Sequence, residues 1–345
     1  MGSARVEFRN TLRPNLAGAS DEDGYDEETD GLRDSMTEPT LSGPLEGLKA
    51  MEIGDLARYK AAVEAGQQMG WGYYFPYLLS RNRAGRSAVL LGEDEGSICV
   101  FLWQLRDSVP HLDVYLAPTP MSVPVLRRCI ERANDFNGDR SARVMRIDDK
   151  DVGAVAAANL NVKQQKMQYV FAPSVYKDLG GSKYKTVRRN VALVEQLPDV
   201  EVMQYSAAHS EACHALLREW RDAHRDAHGT AGGVGTSRRA IDLAGTLPDI
   251  DLRGEVVFLD GRLSAFAFGG EIRPGLACSF ERKCDTAVRG LSYFHLRSFL
   301  QSLHEFALVN DGSDTGRAGL HQLKESFRPV EMHAEYRGRQ RDAET

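Results

Sequence analysis

No apolar run in the chain approaches the roughly 18–20 residues a bilayer-spanning helix needs, and no apolar stretch of the signal-peptide kind opens it. There is no CxxC pair either. The five cysteines (Cys99, Cys129, Cys213, Cys278, Cys284) are scattered and odd in number, which argues against a disulfide framework and for a reduced, cytoplasmic setting. No GxSxG motif and no cysteine with an evident histidine partner supply a covalent nucleophile. The glycine-rich stretch 229–236 lacks the lysine of a P-loop, so it is expected to be a loop, a lid over a site, and not a nucleotide cradle. His224 and His228 have the spacing of a helical metal pair, but Arg225 stands where a zinc protease needs glutamate, and no third ligand lies nearby. No metal is expected.

What charge there is sits unevenly. Residues 1–46 hold eleven acids against four arginines, whereas the whole chain sums to −6, leaving 47–345 nearly neutral. The acidic, Gly- and Ser-containing segment 1–45 shows no periodicity and is expected to be a disordered tail.

From Leu48 onward the pattern is regular. An amphipathic helix is expected over 51–69, then an aromatic cluster (Trp71, Tyr73, Tyr74, Phe75, Tyr77) of the kind that fills cores. A hairpin over 88–102, a strand at 112–116, a helix at 123–136, a strand at 142–147, a helix at 151–160 and a strand at 162–171 follow. The order then repeats. A strand at 200–205 and a helix at 209–228 lead to a hairpin turning at Asp260-Gly261. A β–α–β–α–β unit over 276–336 closes the chain, its last helix carrying Lys324 and stopped by Pro329. The expectation is α/β with mixed sheets in two similar halves, 46–175 and 196–340, joined by a basic helix or linker at 176–195. In such sheets ligands gather beyond the strand ends.

The joining segment carries Lys177, Lys183, Lys185, Arg188 and Arg189 against one acid, interleaved with Tyr176 and Tyr184. That composition suits a phosphate backbone and a stacked base.

The motif Asn310…Asp314…Gly316…Leu320…Lys324…Pro329, preceded by Glu281 and Gly290, resembles the C-terminal domain of phosphatidylglycerol lysyltransferases. The likeness extends to 176–189 and, more weakly, to 71–77. It implies two tandem acetyltransferase-like (GNAT) folds and an aminoacyl-tRNA donor. Such a donor is already an activated ester, so the acceptor amine or hydroxyl attacks directly, and the enzyme need only orient the partners, move a proton and stabilise the oxyanion. Asp314 and Glu281 are then the candidate carboxylates, one for the donor ammonium and one for the proton. Lys324 is the candidate for the terminal phosphate or the oxyanion, and Asn310 for a substrate contact or loop cap. With no membrane part, the expected acceptor is a small molecule or peptide, and no cofactor is expected. An acyl-CoA N-acyltransferase is the alternative on the same fold, but Ala287-Val288-Arg289-Gly290 only approaches a pyrophosphate loop. A non-catalytic RNA-binding module would keep the basic segment without any convergence of Asp314, Glu281 and Lys324.

Overall fold

A computed structural model gives the architecture, and the residues it describes are 41–228, 233–247 and 250–341, without the side chains of 226–228. The expected tail falls mostly on residues 1–40, outside the described residues. Its last part does not: Gly43–Leu45 form a 3-10 turn, and Leu45 packs with Leu48 into the core under the strands.

The strands are β1 (Lys49–Ala50), β2 (Ser87–Asp94), β3 (Ser97–Arg106), β4 (Val109–Thr119), β5 (Arg143–Asp148), β6 (Leu160–Phe171), β7 (Val200–Gln204), β8 (Arg253–Leu259), β9 (Arg262–Arg273), β10 (Leu276–Cys284), β11 (Leu308–Ser313) and β12 (Glu331–Gln340). The helices are α1 (Leu56–Ala65), α2 (Phe75–Leu79), α3 (Val123–Asn137), α4 (Val152–Ala157), α5 (Lys185–Glu195), α6 (Ser210–His228), α7 (Val234–Thr246), α8 (Leu291–Ser302) and α9 (Ala318–Ser326). Local chemistry sets several ends. Helix α3 starts with a proline in its first turn and stops at Gly138, whose left-handed conformation (φ 71°) costs glycine nothing. The β8–β9 hairpin turns at Asp260 and Gly261, both at positive φ, as an Asp-Gly turn matched to the strand twist requires. The aromatic cluster at 71–77 packs into the core as expected, carried on a 3-10 turn and the short α2. One expectation changes: the second half of the glycine-rich stretch opens α7, while 229–232 lie outside the described residues.

All twelve strands form one mixed sheet in the order β1-β2-β3-β4-β5-β12-β6-β11-β10-β9-β8-β7. Read from either edge, the order is the same half-pattern, with one exchange: β12 sits beside β5, and β6 sits beside β11. Each half therefore completes its sheet with the other half's last strand. The two exchanged strands run antiparallel through Gln168↔His333 and Tyr169↔Met332.

Helices cover both faces, so the strands are apolar on both sides and their alternation sorts residues between cores. Along β3, Ile98, Val100 and Leu102 face the core under α1, α2, α6 and α7, while Cys99, Phe101 and Trp103 face the one under α3. Phe171, Ala267, Ala277 and Val309 face α5, α8 and α9.

Candidate active site

Strands β10 and β11 run parallel through Leu276↔Leu308, Ala277↔Val309 and Cys278↔Asn310, and then part. Beyond that point β10 stays with β9 through a bulge between Ser279 and Glu281, and β11 stays with β6 as far as Ser313. The split leaves a crevice at the carboxyl ends of two parallel strands, the usual ligand position in such sheets.

Lys324 does not face that crevice. It is 2 % exposed, and its ammonium donates to the carbonyls of Asp311, Gly312 (3.1 Å) and Ser313 (2.9 Å) while lying 3.1 Å from the Asp311 carboxylate. The three protons of an ammonium match three converging carbonyls, so Lys324 pins the strand end from below. Burial pulls its pKa down, opposed by Asp311. Burial also disfavours the Asp311 carboxylate, but Lys324 and Arg282 outweigh it and hold that group below the usual carboxylate range.

Asn310 is also buried. Its side chain donates to Met69 O (2.9 Å) and Gln168 Oε1 (2.7 Å) and accepts from the Gly312 N–H. Gln168 in turn donates to Glu335, which pairs with the buried Arg146 at 2.7 Å. Asn310 therefore belongs to a polar seam joining the two halves.

Asp314 stands in the β11–α9 loop. Its Oδ2 receives the Tyr169 hydroxyl at 2.8 Å and lies 2.9 Å from His321 Nδ1, while Oδ1 accepts the Gly316 N–H. Burial raises its pKa, but these three contacts outweigh it and leave the carboxyl below its ordinary value. Tyr169 comes from β6, the exchanged strand, and its ring lies 5.4 Å from Lys324 Nζ. Asp314, Lys324 and Tyr169 thus form one neighbourhood. Glu281 belongs to another: its Oε2 accepts from Ser237 (2.6 Å) on α7 and from Lys283 (3.0 Å), whose ammonium lies over the Trp220 ring. No contact joins Glu281 to Asp314 or Lys324 among the described residues.

Behind the crevice, Glu255, Ala267 and Arg282 are cross-strand neighbours on β8, β9 and β10. Helix α8 lies above them, bringing Ser298 to Glu255. Burial pushes the Glu255 carboxyl up to about 7 against the Ser298 contact. The folded chain thus keeps a proton that an unfolded glutamate (4.5) releases, so stability falls as pH rises from about 4.5 to about 7 and is level above. Glu255→Gln is expected to match the wild type near pH 4 and to exceed it at pH 8 by about 3 kcal/mol. Denaturant titrations at both pH values check this, and a gap independent of pH would show that Glu255 does not titrate as described.

The basic segment is a 3-10 turn followed by α5, which buries Val187, Val191 and Val194. Lys177, Lys183, Lys185, Arg188 and Arg189 are exposed, but Arg188 is engaged, donating to Leu179 O and to Gly181 O (2.7 Å). Tyr184 points inward, 4 % exposed and edge-on to Tyr176, so it offers no free face for stacking a base. Gly290, at the start of α8, has φ 88°, and a Cβ there would sit 2.3 Å from Asn190 O. That residue is glycine because α5 lies against it. His224 stacks on Trp220 at 3.8 Å and its Nδ1 faces Trp220 O, and the side chain of His228 lies outside the described residues. Among the described residues no group of three or more His, Cys, Asp or Glu could hold a metal ion, and no helix is long and apolar enough to cross a membrane.

Two mixed half-sheets, each with a parallel pair that splits, define a tandem GNAT-like protein. Residues 119–338 match the family described as phosphatidylglycerol lysyltransferase, C-terminal, and the chain belongs to that family. No curated protein matches by sequence. Among solved structures, a conserved protein of unknown function from Bacteroides thetaiotaomicron superposes with TM-score 0.71 at 19 % identity, over 85 % of this chain and 99 % of that one. The C-terminal domain of a putative lysylphosphatidylglycerol synthetase from Agrobacterium fabrum gives 0.58 at 14 % identity (84 % and 93 % covered). L-PGS from Bacillus licheniformis gives 0.56 at 12 % identity (83 % and 92 % covered). At these identities the superpositions establish the fold.

Sequence reasoning missed Tyr169 and His321. Tyr169 is 145 residues from Asp314 and reads as an ordinary strand tyrosine. His321 lies seven residues after Asp314 and three before Lys324, a spacing that was the available signal.

Proposed function

We propose that the chain is an aminoacyl-tRNA-dependent aminoacyltransferase whose acceptor is an amine or hydroxyl of a small molecule or peptide. Family membership carries the reading at the level of aminoacyl transfer. The loop from Asp311 to Gly316, held at the strand split and presenting Asp314 beside Tyr169 and His321, suits a donor whose acyl group is already activated. The acceptor attacks the ester carbonyl, and the site contributes orientation and a proton path. The donor is charged tRNA and the chemistry requires no cofactor. In this reading Asn310 and Lys324 build the loop, and Asp314 faces the reactants. The direct test is incubation with a mixture of charged tRNAs and a metabolite extract. RNase-sensitive product formation, inhibited by deacylated tRNA and not by CoA, is expected. Product formation that needs acyl-CoA and survives RNase would replace this reading with the acyl-CoA alternative.

The exposed cations of the joining segment are the candidate tRNA contact. Replacing Lys177, Lys183, Lys185 and Arg189 with alanine, and leaving the engaged Arg188, is expected to weaken binding of charged tRNA. The log–log salt slope is expected to become shallower by about 0.7–0.9 for each lost phosphate contact. An unchanged slope with the fold intact would remove this face from the tRNA interface.

A further inference from the structure

His321 is more than half exposed, with 56 % of its side-chain surface open, while Asp314 is at 24 % and Tyr169 is buried. Its Nδ1 lies 2.7 Å from the Tyr169 oxygen and 2.9 Å from Asp314 Oδ2, and those two oxygens are 2.8 Å apart. The three contacts share two protons. An ionised Asp314 can only accept. The Tyr169 hydroxyl has one proton, and in giving it to Asp314 it leaves its own oxygen as an acceptor. Nδ1 must then carry the second proton, aimed between the two oxygens. That fixes the neutral imidazole as the Nδ1–H tautomer, with the Nε2 lone pair on the opposite, solvent-facing side of the ring. A buried tyrosine and a carboxylate orienting an exposed imidazole form the arrangement that prepares a histidine for proton transfer.

We propose that His321 is the proton carrier of the acyl transfer, with Asp314 and Tyr169 as its positioning residues. This rests on the aminoacyl-transfer reading above. The acceptor nitrogen or oxygen attacks the ester carbonyl carbon and gives its proton to His321 Nε2. As the tetrahedral adduct collapses, the bond from that carbon to the ribose oxygen breaks, and the proton passes from Nε2 to the departing oxygen. No proton is gained or lost overall. Asp314 remains ionised and compensates the transient imidazolium.

Two measurements test this, and they fail independently. In the intact protein with 15N-labelled histidine rings, His321, assigned by the signal lost in His321→Gln, is expected to show Nδ1–H with Nε2 unprotonated once neutral. An Nε2–H tautomer overturns the proposal whatever the enzyme does. In the second measurement, the protein is given charged tRNA with hydroxylamine as a surrogate acceptor. His321→Gln is expected to bind charged tRNA as the wild type does but to transfer about 10²–10⁴-fold more slowly. Full activity in the variant overturns the role of His321 and leaves aminoacyl transfer standing. No charged-tRNA binding by the wild type removes the aminoacyl-transfer reading, and this role with it, even where the tautomer is as expected.

Discussion

Lys324→Ala is expected to destabilise the fold by about 3–5 kcal/mol, the usual cost of removing one partner of a buried ion pair. The reason is geometric. The substitution takes the donor from three carbonyls at residues 311–313 and leaves the Asp311 carboxylate, 6 % exposed, with Arg282 at 3.3 Å as its remaining ion-pair partner. Lys324→Met keeps the stem and should lose nearly as much, since the ammonium makes every polar contact. Lys324→Arg should not rescue, because a planar fork cannot address three carbonyls converging on one point. Adding Asp311→Asn to Lys324→Met should cost less than the sum of the separate losses, because the unpaired charge goes with it. Denaturant unfolding of the three Lys324 variants, of Asp311→Asn and of the double variant decides the matter. A Lys324→Ala protein as stable as the wild type, yet inactive, would return this ammonium to the reacting atoms.

That expectation reverses what the sequence alone gives. A lysine on a short helix just past a polar loop reads as surface charge, and the family resemblance places it near substrate. Its burial depends on how β11 meets β6, a pairing between segments 140 residues apart (Asn310 with Val170) that no local pattern encodes. The strand exchange is hidden for the same reason: β6 and β12 each look like the last strand of their own half. The repeat order was legible, since it needs only periodicity and the Asp260-Gly261 turn, and so was the position of the site, because the Asn310–Pro329 motif sits on one strand, one loop and one helix. Tyr184 was misjudged although the signal was present. With Val187, Val191 and Val194 it follows three- and four-residue spacings and so shares their buried face. Glu281 was grouped with Asp314 because both follow strand ends. The bulge after Ser279 and the Ser237 contact instead turn it toward α7, a helix that its glycine-rich start concealed.

Asp314→Asn is expected to lower turnover by roughly 10²–10⁴, the range for losing a positioned acid–base group, while leaving the fold nearly as stable. The amide keeps the size of the carboxylate and can still receive the Tyr169 hydroxyl through its oxygen. It no longer supplies the charge that stabilises a protonated His321, and if its NH₂ faces the ring it favours the tautomer with Nδ1 unprotonated. The effect should therefore fall on kcat, with binding of charged tRNA little changed. The stability term has a defined pH window. The Asp314 carboxyl is held below its ordinary 3.8, so its stabilising contribution is complete above that value and disappears as pH falls through the lower folded value. Wild type and variant should thus differ slightly at pH 7 and converge in strong acid. The Tyr169→Phe change separates positioning from charge: it removes the hydroxyl but leaves the Asp314–His321 contact, and a smaller loss than for Asp314→Asn is expected. If Asp314→Asn turns over at near the wild-type rate, Asp314 is a loop cap through Gly316 alone, and the reacting atoms lie elsewhere, with the Glu281–Ser237–Lys283 group on the opposite face as the next position to examine.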